Sequence, residues 1–203
     1  MEVVNTLTLI LASQSASRQT MLREAGIVFE VITPDINENS VKKVLLAEGK
    51  TSCTIADILA ELKTSEITTH RPNAIVLGAD QLLVCNNILF NKAVDLSQAR
   101  LTLQNLRGRT HRLISAAVLV KDGRLIWRQI ETAEMTMRYF SDAFLDAYLA
   151  AEGEALLESV GCYRIEGAGA QLFENISGDC FTIRGLPLIA LLEALRENGV
   201  LVR

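Results

Sequence analysis

The sequence predicts an α/β fold, because buried-strand patterns alternate with helical patterns over most of its 203 residues. Residues 7–12 and 74–80 are short apolar runs typical of strands that are buried on both faces. Residues 55–64 place apolar side chains at the i, i+3, i+4, i+7 spacing of a packed helix. No repeat, low-complexity tract or linker interrupts these patterns, so we predict that residues 1–203 form a single domain.

The composition excludes several classes of protein. Acidic and basic residues are scattered along the chain with a net charge of −4, whereas a nucleic-acid surface would need clustered Lys and Arg. No apolar run approaches the roughly 20 residues of a membrane span, and no signal-peptide pattern begins the chain. Cys53, Cys85 and Cys180 border apolar segments and are expected to be reduced, which by default predicts a cytoplasmic protein. The cysteines form no CxxC pair and do not predict a zinc site; they are Cys53, Cys85, Cys162 and Cys180.

The first half of the chain is predicted to contain strands and helices in alternation. Gly26 should end a helix that follows the first strand, Pro34 should end the second strand, and Gly49 should separate two later helices. Two strands should form a hairpin about Asn86-Asn87. The predicted strands are 7–12, 27–33, 74–80, 81–85 and 88–91, and the predicted helices are 19–25, 41–48 and 55–64.

The second half is predicted to continue with a helix, a long hairpin and further helices. Asp95 and Gln98 resemble a capping box, Ser141 is a typical helix N-cap, and Lys121-Asp122-Gly123 predicts a tight turn. The predicted helices are 96–106, 142–152, a short one after Gly153 and one after Pro187, and the predicted strands are 111–120, 124–137, 171–174 and 180–184. Residues 161–170 form a glycine-rich loop without the spacing of a dinucleotide fingerprint.

The loop after the first strand is the first candidate site. It carries serines at alternate positions, Ser13, Ser15 and Ser17, followed by Arg18. A strand that leads through hydroxyl groups into a helix N-terminus can bind an anion, because free backbone N–H groups, hydroxyls and a guanidinium converge there. The same residues could instead form a serine-capped turn with Arg18 on the surface.

Carboxylates and a lysine elsewhere in the chain form the second candidate site. Asp80 is predicted at the carboxyl end of a buried strand, where ligands bind in α/β sheets, although it could also cap a turn. Glu38 is predicted in a polar turn after the second strand. Lys63 is predicted on the helix beside a face of small residues, where it could point toward this site or into solvent.

Seven short segments identify a family when they are taken together in order. They are Leu11-Ala12-Ser13-x-Ser15-x-x-Arg18, Asp35-Ile36-x-Glu38, Gly78-Ala79-Asp80, Lys92, Gly108-Arg109-Thr110-His111, Tyr163-x-Ile165-x-Gly167-x-Gly169-Ala170 and Gly185-Leu186-Pro187-Leu188. With these segments the sequence resembles the Maf family of nucleoside triphosphate pyrophosphatases over nearly the whole chain.

The resemblance implies an elongated mixed β-sheet flanked by helices, with two lobes and a central cleft. It also implies metal-dependent hydrolysis of the α–β phosphate bond of a nucleotide, which yields a monophosphate and pyrophosphate. Asp80 would be the catalytic carboxylate and, with Glu38, would bind a divalent cation, Mg²⁺ or Mn²⁺. The phosphates would be bound by Ser13, Ser15, Arg18, Lys63 and Lys92. A homodimer is plausible by the same resemblance.

The chain departs from the family pattern at positions that bear on the base. Ser17 stands where a second basic residue is common, Gln81 replaces a Thr, and Glu166 replaces the Gln of the pyrimidine-preferring branch. Gln81 and Glu166 resemble the branch that hydrolyses 7-methyl-GTP, and a glutamate can accept hydrogen bonds from guanine N1–H and N2. Hydrolysis of dTTP or UTP is the alternative, and a nucleotide-binding regulator of septum formation is an alternative of another class.

Overall fold

The computed structural model describes residues 8–202, which form a mixed seven-stranded sheet and seven α-helices. The strands are β1 (Leu9–Ala12), β2 (Glu30–Val31), β3 (Ile75–Cys85), β4 (Ile88–Phe90), β5 (Thr110–Lys121), β6 (Arg124–Met137) and β7 (Phe173–Ser177). The helices are α1 (Ala16–Glu24), α2 (Glu38–Ala47), α3 (Ser52–His70), α4 (Leu96–Leu106), α5 (Asp142–Glu152), α6 (Cys180–Ile183) and α7 (Leu188–Glu197). This architecture confirms the predicted α/β class.

The sheet combines both strand directions in the order β2-β1-β3-β5-β6-β7, with β4 paired to β3. β1 lies parallel to β2 and to β3, whereas β3–β4 and β6–β7 are antiparallel pairs. The mixed sheet predicted from the resemblance is therefore present.

Of the helices within residues 8–202, none has the length and apolar character that a bilayer crossing requires.

The chain divides into two compact units. Of the described residues, the first unit holds 8–80, 115–131 and 185–202, and the second holds 81–114 and 132–184. A buried cluster in the first unit includes Ile10, Ile67 and Val76. The second unit has its own cluster, which includes Leu103 and Phe140. Each unit thus has an apolar core of its own.

The parallel strands of the first unit explain why the first apolar run was recognisable. All residues of β1 are buried, as expected for a strand covered on both faces. The prediction began this strand at Leu7, which lies outside the described residues. The second strand is much shorter than the predicted 27–33, because β2 pairs only at Glu30 and Val31 and both are exposed.

The strand that carries Asp80 differs from its prediction. β3 runs without a break through Asp80 to Cys85, so the prediction that a strand ends at this aspartate was wrong. The parallel pairing of β1 with β3 does end nearby, at Ala12 opposite Gly78. Asp80 therefore lies two residues beyond the end of the parallel pairing between β1 and β3. Its position relative to that pairing is close to the one that the prediction gave it.

Helix starts and ends also differ from the predicted ones. α1 begins at Ala16 rather than Gln19, and α2 begins at Glu38, so Glu38 is in a first helical turn and not in a loop. α3 continues six residues beyond the predicted end at Thr64. Its extension is rich in Ser and Thr, which lower helix propensity, but Thr68 bonds the Thr64 carbonyl within the helix and Ile67 is buried.

In the second unit the capping residues were predicted correctly. Asp95 accepts a hydrogen bond from the Gln98 N–H at the start of α4, and Ser141 does the same for Phe144 at the start of α5. The predicted strand 180–184 was wrong, because Asp179 caps a short helix, α6, over this stretch. The β-branched and aromatic composition of α6 favoured a strand in the sequence.

Candidate active site

The serine loop and Arg18 form one hydrogen-bonded group at the N-terminus of α1. The Ser13 hydroxyl accepts from the Ser15 N–H at 3.2 Å and from Arg18 Nη1 at 3.1 Å. The Ser15 hydroxyl caps α1 by accepting from the Arg18 N–H at 3.4 Å. The capped turn considered from the sequence is therefore present, but Arg18 is only 7% exposed and is not a surface residue.

Arg18 is also held by a residue far along the chain. Its Nε donates to the carbonyl of Gly185 at 2.8 Å, and Gly185 has a φ of +101°, which favours glycine. Burial lowers the pKa of Arg18, and the charges of Asp80 and Glu38 oppose that shift. Sequence reasoning missed this contact, although the Gly185-Leu186-Pro187-Leu188 motif was a signal that the segment mattered.

Lys63 links the two carboxylates predicted to bind a metal. Its Nζ lies 2.6 Å from Asp80 Oδ1, 2.8 Å from Glu38 Oε1 and 3.3 Å from the Ala79 carbonyl. Lys63 and Asp80 are both buried, so the alternative of a solvated lysine is wrong. The structure thus brings Glu38, Lys63 and Asp80 together from three separate elements.

The close packing of α3 against β3 depends on the missing side chain of Gly78. A Cβ at this position would lie 2.0 Å from the Ala60 carbonyl oxygen and 2.6 Å from Thr64 Cγ2. These residues flank Lys63 on α3, so contact between the helix backbone and the strand brings the Lys63 ammonium to Asp80. The glycine before Asp80 is therefore part of the construction of the site.

The charges around Glu38 favour its ionised form. Burial by itself would raise the pKa of Glu38, but the charge of Lys63, its hydrogen bond and the charges of Lys42 and Arg18 together lower it. Lys42 lies one helical turn away, at 3.8 Å from Oε2. Glu38 is thus an anion in the folded protein at neutral pH.

Asp80 has one carboxylate oxygen in use and one without a partner. Oδ1 accepts from Lys63, whereas Oδ2 is buried and has no hydrogen bond. An unpaired buried carboxylate oxygen is costly, so this atom is suited to a water, a substrate proton or a cation. Oδ2 is the feature of the site that most directly indicates a bound group.

The oxygen-only donor set of Glu38 and Asp80 fits Mg²⁺ or Mn²⁺. These ions accept carboxylate ligands and keep several waters, so two carboxylates and the free Asp80 Oδ2 are compatible with one ion. Residues 8–202 contain no cluster of three or more His, Cys, Asp or Glu side chains arranged for a metal. A site built entirely from protein ligands, such as structural zinc needs, is thus absent from that part of the chain.

The remaining predicted residues have different surroundings. Ser17 is half-buried in the first turn of α1, whereas Lys92, Gln81 and Glu166 belong to the second unit. Gln81 Nε2 donates to the carbonyls of Thr182 and Ile183, both at 3.0 Å. These bonds anchor Gln81 to α6 and give its side-chain amide a structural role in the second unit.

Glu166 and Lys92 are exposed side chains of the second unit. A carboxylate oxygen of Glu166 lies 3.7 Å from Arg164 Nε, a loose ion pair within the glycine-rich loop. Lys92 lies two residues after Phe90, the last residue of β4. Their predicted roles in binding the base and the phosphates stay predictions.

Comparison with known proteins gives the site a family context. A nucleoside triphosphate pyrophosphatase of Paramagnetospirillum magneticum is 50% identical over 193 residues, which cover 95% of this chain and 100% of that protein. One from Caulobacter vibrioides is 52% identical over 191 residues, covering 94% and 96%. A 7-methyl-GTP pyrophosphatase of Brucella abortus is 44% identical over 193 residues, covering 95% and 97%.

A family model described as Maf-like protein matches residues 8–198. That match spans nearly all of the described residues, including every residue of the Arg18, Glu38, Lys63 and Asp80 group. The resemblance noted from short motifs is thereby confirmed, and the chain belongs to the Maf family.

Proposed function

We propose that this protein is a nucleoside triphosphate pyrophosphatase, which cleaves the α–β phosphate bond to release a nucleoside monophosphate and pyrophosphate. The observation that carries the proposal is the unpartnered, buried Oδ2 of Asp80 beside Lys63 in the group that also includes Arg18. A carboxylate oxygen can activate a water molecule by accepting its proton. The cations around that oxygen suit the binding of a polyanion beside it. The names of the relatives support the same reaction.

The roles of the residues follow from their chemistry. Phosphoryl transfer needs mainly positioning and charge stabilisation, with little covalent participation by the protein. Arg18 and the N-terminus of α1 would bind phosphate oxygens, because Arg18 is rigidly held by Ser13 and Gly185. Asp80 Oδ2 would accept a proton from the attacking water.

A divalent cation is the cofactor that we propose for this site. Glu38 and Asp80 would hold it, since they supply adjacent carboxylate oxygens in the first unit. When bound, such an ion neutralises phosphate charge and makes its bound water more acidic. Lys92, in the second unit, would add a further phosphate contact.

A guanine-type base is the substrate class that we favour. Glu166 is an exposed carboxylate in the glycine-rich loop, and two carboxylate oxygens match the N1–H and N2 amino donors of guanine. The 7-methyl-GTP pyrophosphatases among the relatives support this preference. Ser17 and Gln81 are the other proposed specificity residues, and dTTP or UTP is the competing substrate class.

The deciding experiment is a panel of nucleoside triphosphates assayed for pyrophosphate release, with Mg²⁺, with Mn²⁺ and with chelator. The panel contains GTP, 7-methyl-GTP, dTTP, UTP and inosine triphosphate. Metal-dependent release of pyrophosphate and monophosphate, greatest with 7-methyl-GTP, is expected. Release of inorganic phosphate instead would contradict the proposed bond, and equal rates with chelator would contradict the cation.

A nucleotide-binding regulator is the second candidate function. It is favoured only if the protein binds a triphosphate tightly and the full panel shows no hydrolysis.

The proposed substrates are also the ground for proposing a cytoplasmic location. A homodimer stays a prediction, based on the frequency of two-fold dimers among soluble proteins, and sedimentation of the full chain would test it.

A further inference from the structure

The Lys63 ammonium is fully engaged by the protein itself. An ammonium has three N–H donors, and Lys63 has three acceptors within hydrogen-bond distance: Asp80 Oδ1, Glu38 Oε1 and the Ala79 carbonyl. The side chain is only 5% exposed. In this arrangement Lys63 has no donor left for a phosphate oxygen.

The same ammonium occupies one oxygen of each carboxylate that a divalent cation would bind. Glu38 and Asp80 are the two carboxylates of the site, and Nζ lies 2.8 Å from one and 2.6 Å from the other. A divalent ion bound to both carboxylates would place two positive charges beside a third at a largely buried lysine. This repulsion disfavours an arrangement in which Lys63 and the ion both contact the carboxylate pair.

We propose that Lys63 is an exchangeable counterion, which neutralises Glu38 and Asp80 in the ligand-free protein and moves to the phosphates when a divalent cation takes its place. This inference rests on the proposed function and deepens it. The lysine side chain suits such a movement, because its flexible four-carbon stem lets the ammonium change partners. Arg18 is unsuited to it, because Ser13 and Gly185 both hold its guanidinium.

Exchange makes the binding of cation and nucleotide interdependent. A cation that arrives alone must displace Lys63 and leave the buried ammonium without its two carboxylate partners, which is costly. A triphosphate supplies new acceptors for that ammonium, so each ligand should strengthen the binding of the other. The ligand-free protein should accordingly bind a divalent cation weakly, although two carboxylates are already in place.

The test is a titration of ligand-free protein with Mn²⁺, with free Mn²⁺ measured by electron paramagnetic resonance. Lys63→Met should bind Mn²⁺ at least about tenfold more tightly than wild type, a typical size for coupling between sites. The matched control is Lys42→Met, which removes a cation 3.8 Å from Glu38 that makes no contact with Asp80. Lys42→Met should tighten Mn²⁺ binding by less than about threefold relative to wild type. Equal or weaker binding by Lys63→Met would overturn the exchange.

A measurement on the unaltered protein avoids dependence on the folding of a variant. With ¹⁵N-labelled lysine, the buried Lys63 ammonium should give a resonance protected from solvent exchange in the ligand-free state. Mg²⁺ with an α,β-methylene triphosphate should shift that resonance, and Mg²⁺ alone should do so only at much higher concentration. A resonance unchanged at saturation with both ligands would contradict the exchange.

Pyrophosphate release by wild type is measured in parallel with both experiments. Absence of release would remove the proposed function, whereas the Mn²⁺ affinities and the lysine resonance report on the exchange alone. The two ideas can therefore fail separately.

Discussion

The two oxygens of Asp80 have different surroundings. Oδ1 has a structural role, whereas Oδ2 is available for chemistry. Oδ1 accepts from Lys63 at 2.6 Å and so offsets the cost of burying the charge. Oδ2 has no partner and remains available to a ligand. A single buried side chain can thus both complete an ion pair and present a base.

Asp80→Asn should retain the shape of this side chain and remove its basicity. We expect pyrophosphate release to fall by about 10²- to 10⁴-fold, the usual contribution of a general base. Initial rates with the best substrate of the panel provide the measurement, and circular dichroism with nucleotide titration verifies that the variant is folded and binds. Wild-type rates in Asp80→Asn would remove this residue from catalysis.

Glu166→Gln should alter the preference between bases. Loss of a charged acceptor should lower kcat/KM for 7-methyl-GTP relative to UTP by roughly tenfold or more, because a hydrogen bond to a charged group contributes about 1.5–3 kcal/mol. Glu154→Gln, at an exposed glutamate of the same unit, is the control. An unchanged ratio of the two kcat/KM values would refute the proposed role of Glu166.

At the level of secondary structure, the site depends on how closely α3 approaches β3. Lys63 lies on α3 between Ala60 and Thr64, the residues that a Cβ on Gly78 would strike. Glu38 comes from the first turn of α2, where Asn37 caps the helix by accepting from the Ser40 N–H. Packing of α3 against β3 and of α2 against α3 therefore sets the distances among the charged groups.

Gly78→Ala should separate α3 from β3 and weaken the site. Because the new Cβ would lie 2.0 Å from a backbone oxygen, relief requires movement of the helix. We expect a loss of about 1–3 kcal/mol in the free energy of unfolding, as for other overpacked sites, and a lower rate of pyrophosphate release. Urea unfolding and steady-state kinetics provide the two measurements.

The control for this substitution is Gly167→Ala. Its new Cβ would meet nothing closer than 3.4 Å, an ordinary contact. Its free energy of unfolding should stay close to that of wild type. Equal stability of Gly78→Ala and Gly167→Ala would show that α3 does not need this close approach.

A buried histidine in the second unit affects the stability of the whole molecule. His111, on β5, is 1% exposed, and its Nε2 lies 2.7 Å from the Tyr163 hydroxyl. Tyr163 in turn packs edge-on against Phe173. Burial lowers the pKa of His111 from 6.5 to about 4, so the histidine is neutral in the folded protein at physiological pH.

Acid should therefore destabilise the protein through His111. Below pH 6.5 the unfolded chain binds a proton that the folded protein excludes down to about pH 4, so the free energy of unfolding falls as pH decreases through this window. The expected loss is about 3 kcal/mol, from 1.36 kcal/mol for each pKa unit. Urea unfolding across that window measures it.

His111→Gln should remove most of this pH dependence, because glutamine does not titrate. His70→Gln is the control, since His70 is exposed at the end of α3. A slope that His111→Gln leaves unchanged would mean that other groups cause the acid sensitivity.

Much of the fold could be predicted because the signals are local. Asp95 and Ser141 cap their helices as expected, and β6 has the predicted limits of 124–137. Side-chain caps act within three or four residues, and strand periodicity is visible in a short window. The family was recognisable for a similar reason, since ordered short motifs need no tertiary information, and Arg18 and Asp80 stay the site residues predicted from those motifs.

The sequence by itself thus determined the fold class, most elements and the family. Only the tertiary structure decided that β3 continues through Asp80, that Lys63 contacts both Glu38 and Asp80, and that Arg18 bonds the Gly185 carbonyl. Arg18 and Gly185 are 167 residues apart, and Lys63 and Asp80 are 17 apart on different elements. Such contacts depend on packing between elements, and no local pattern of side chains encodes a distance across that packing.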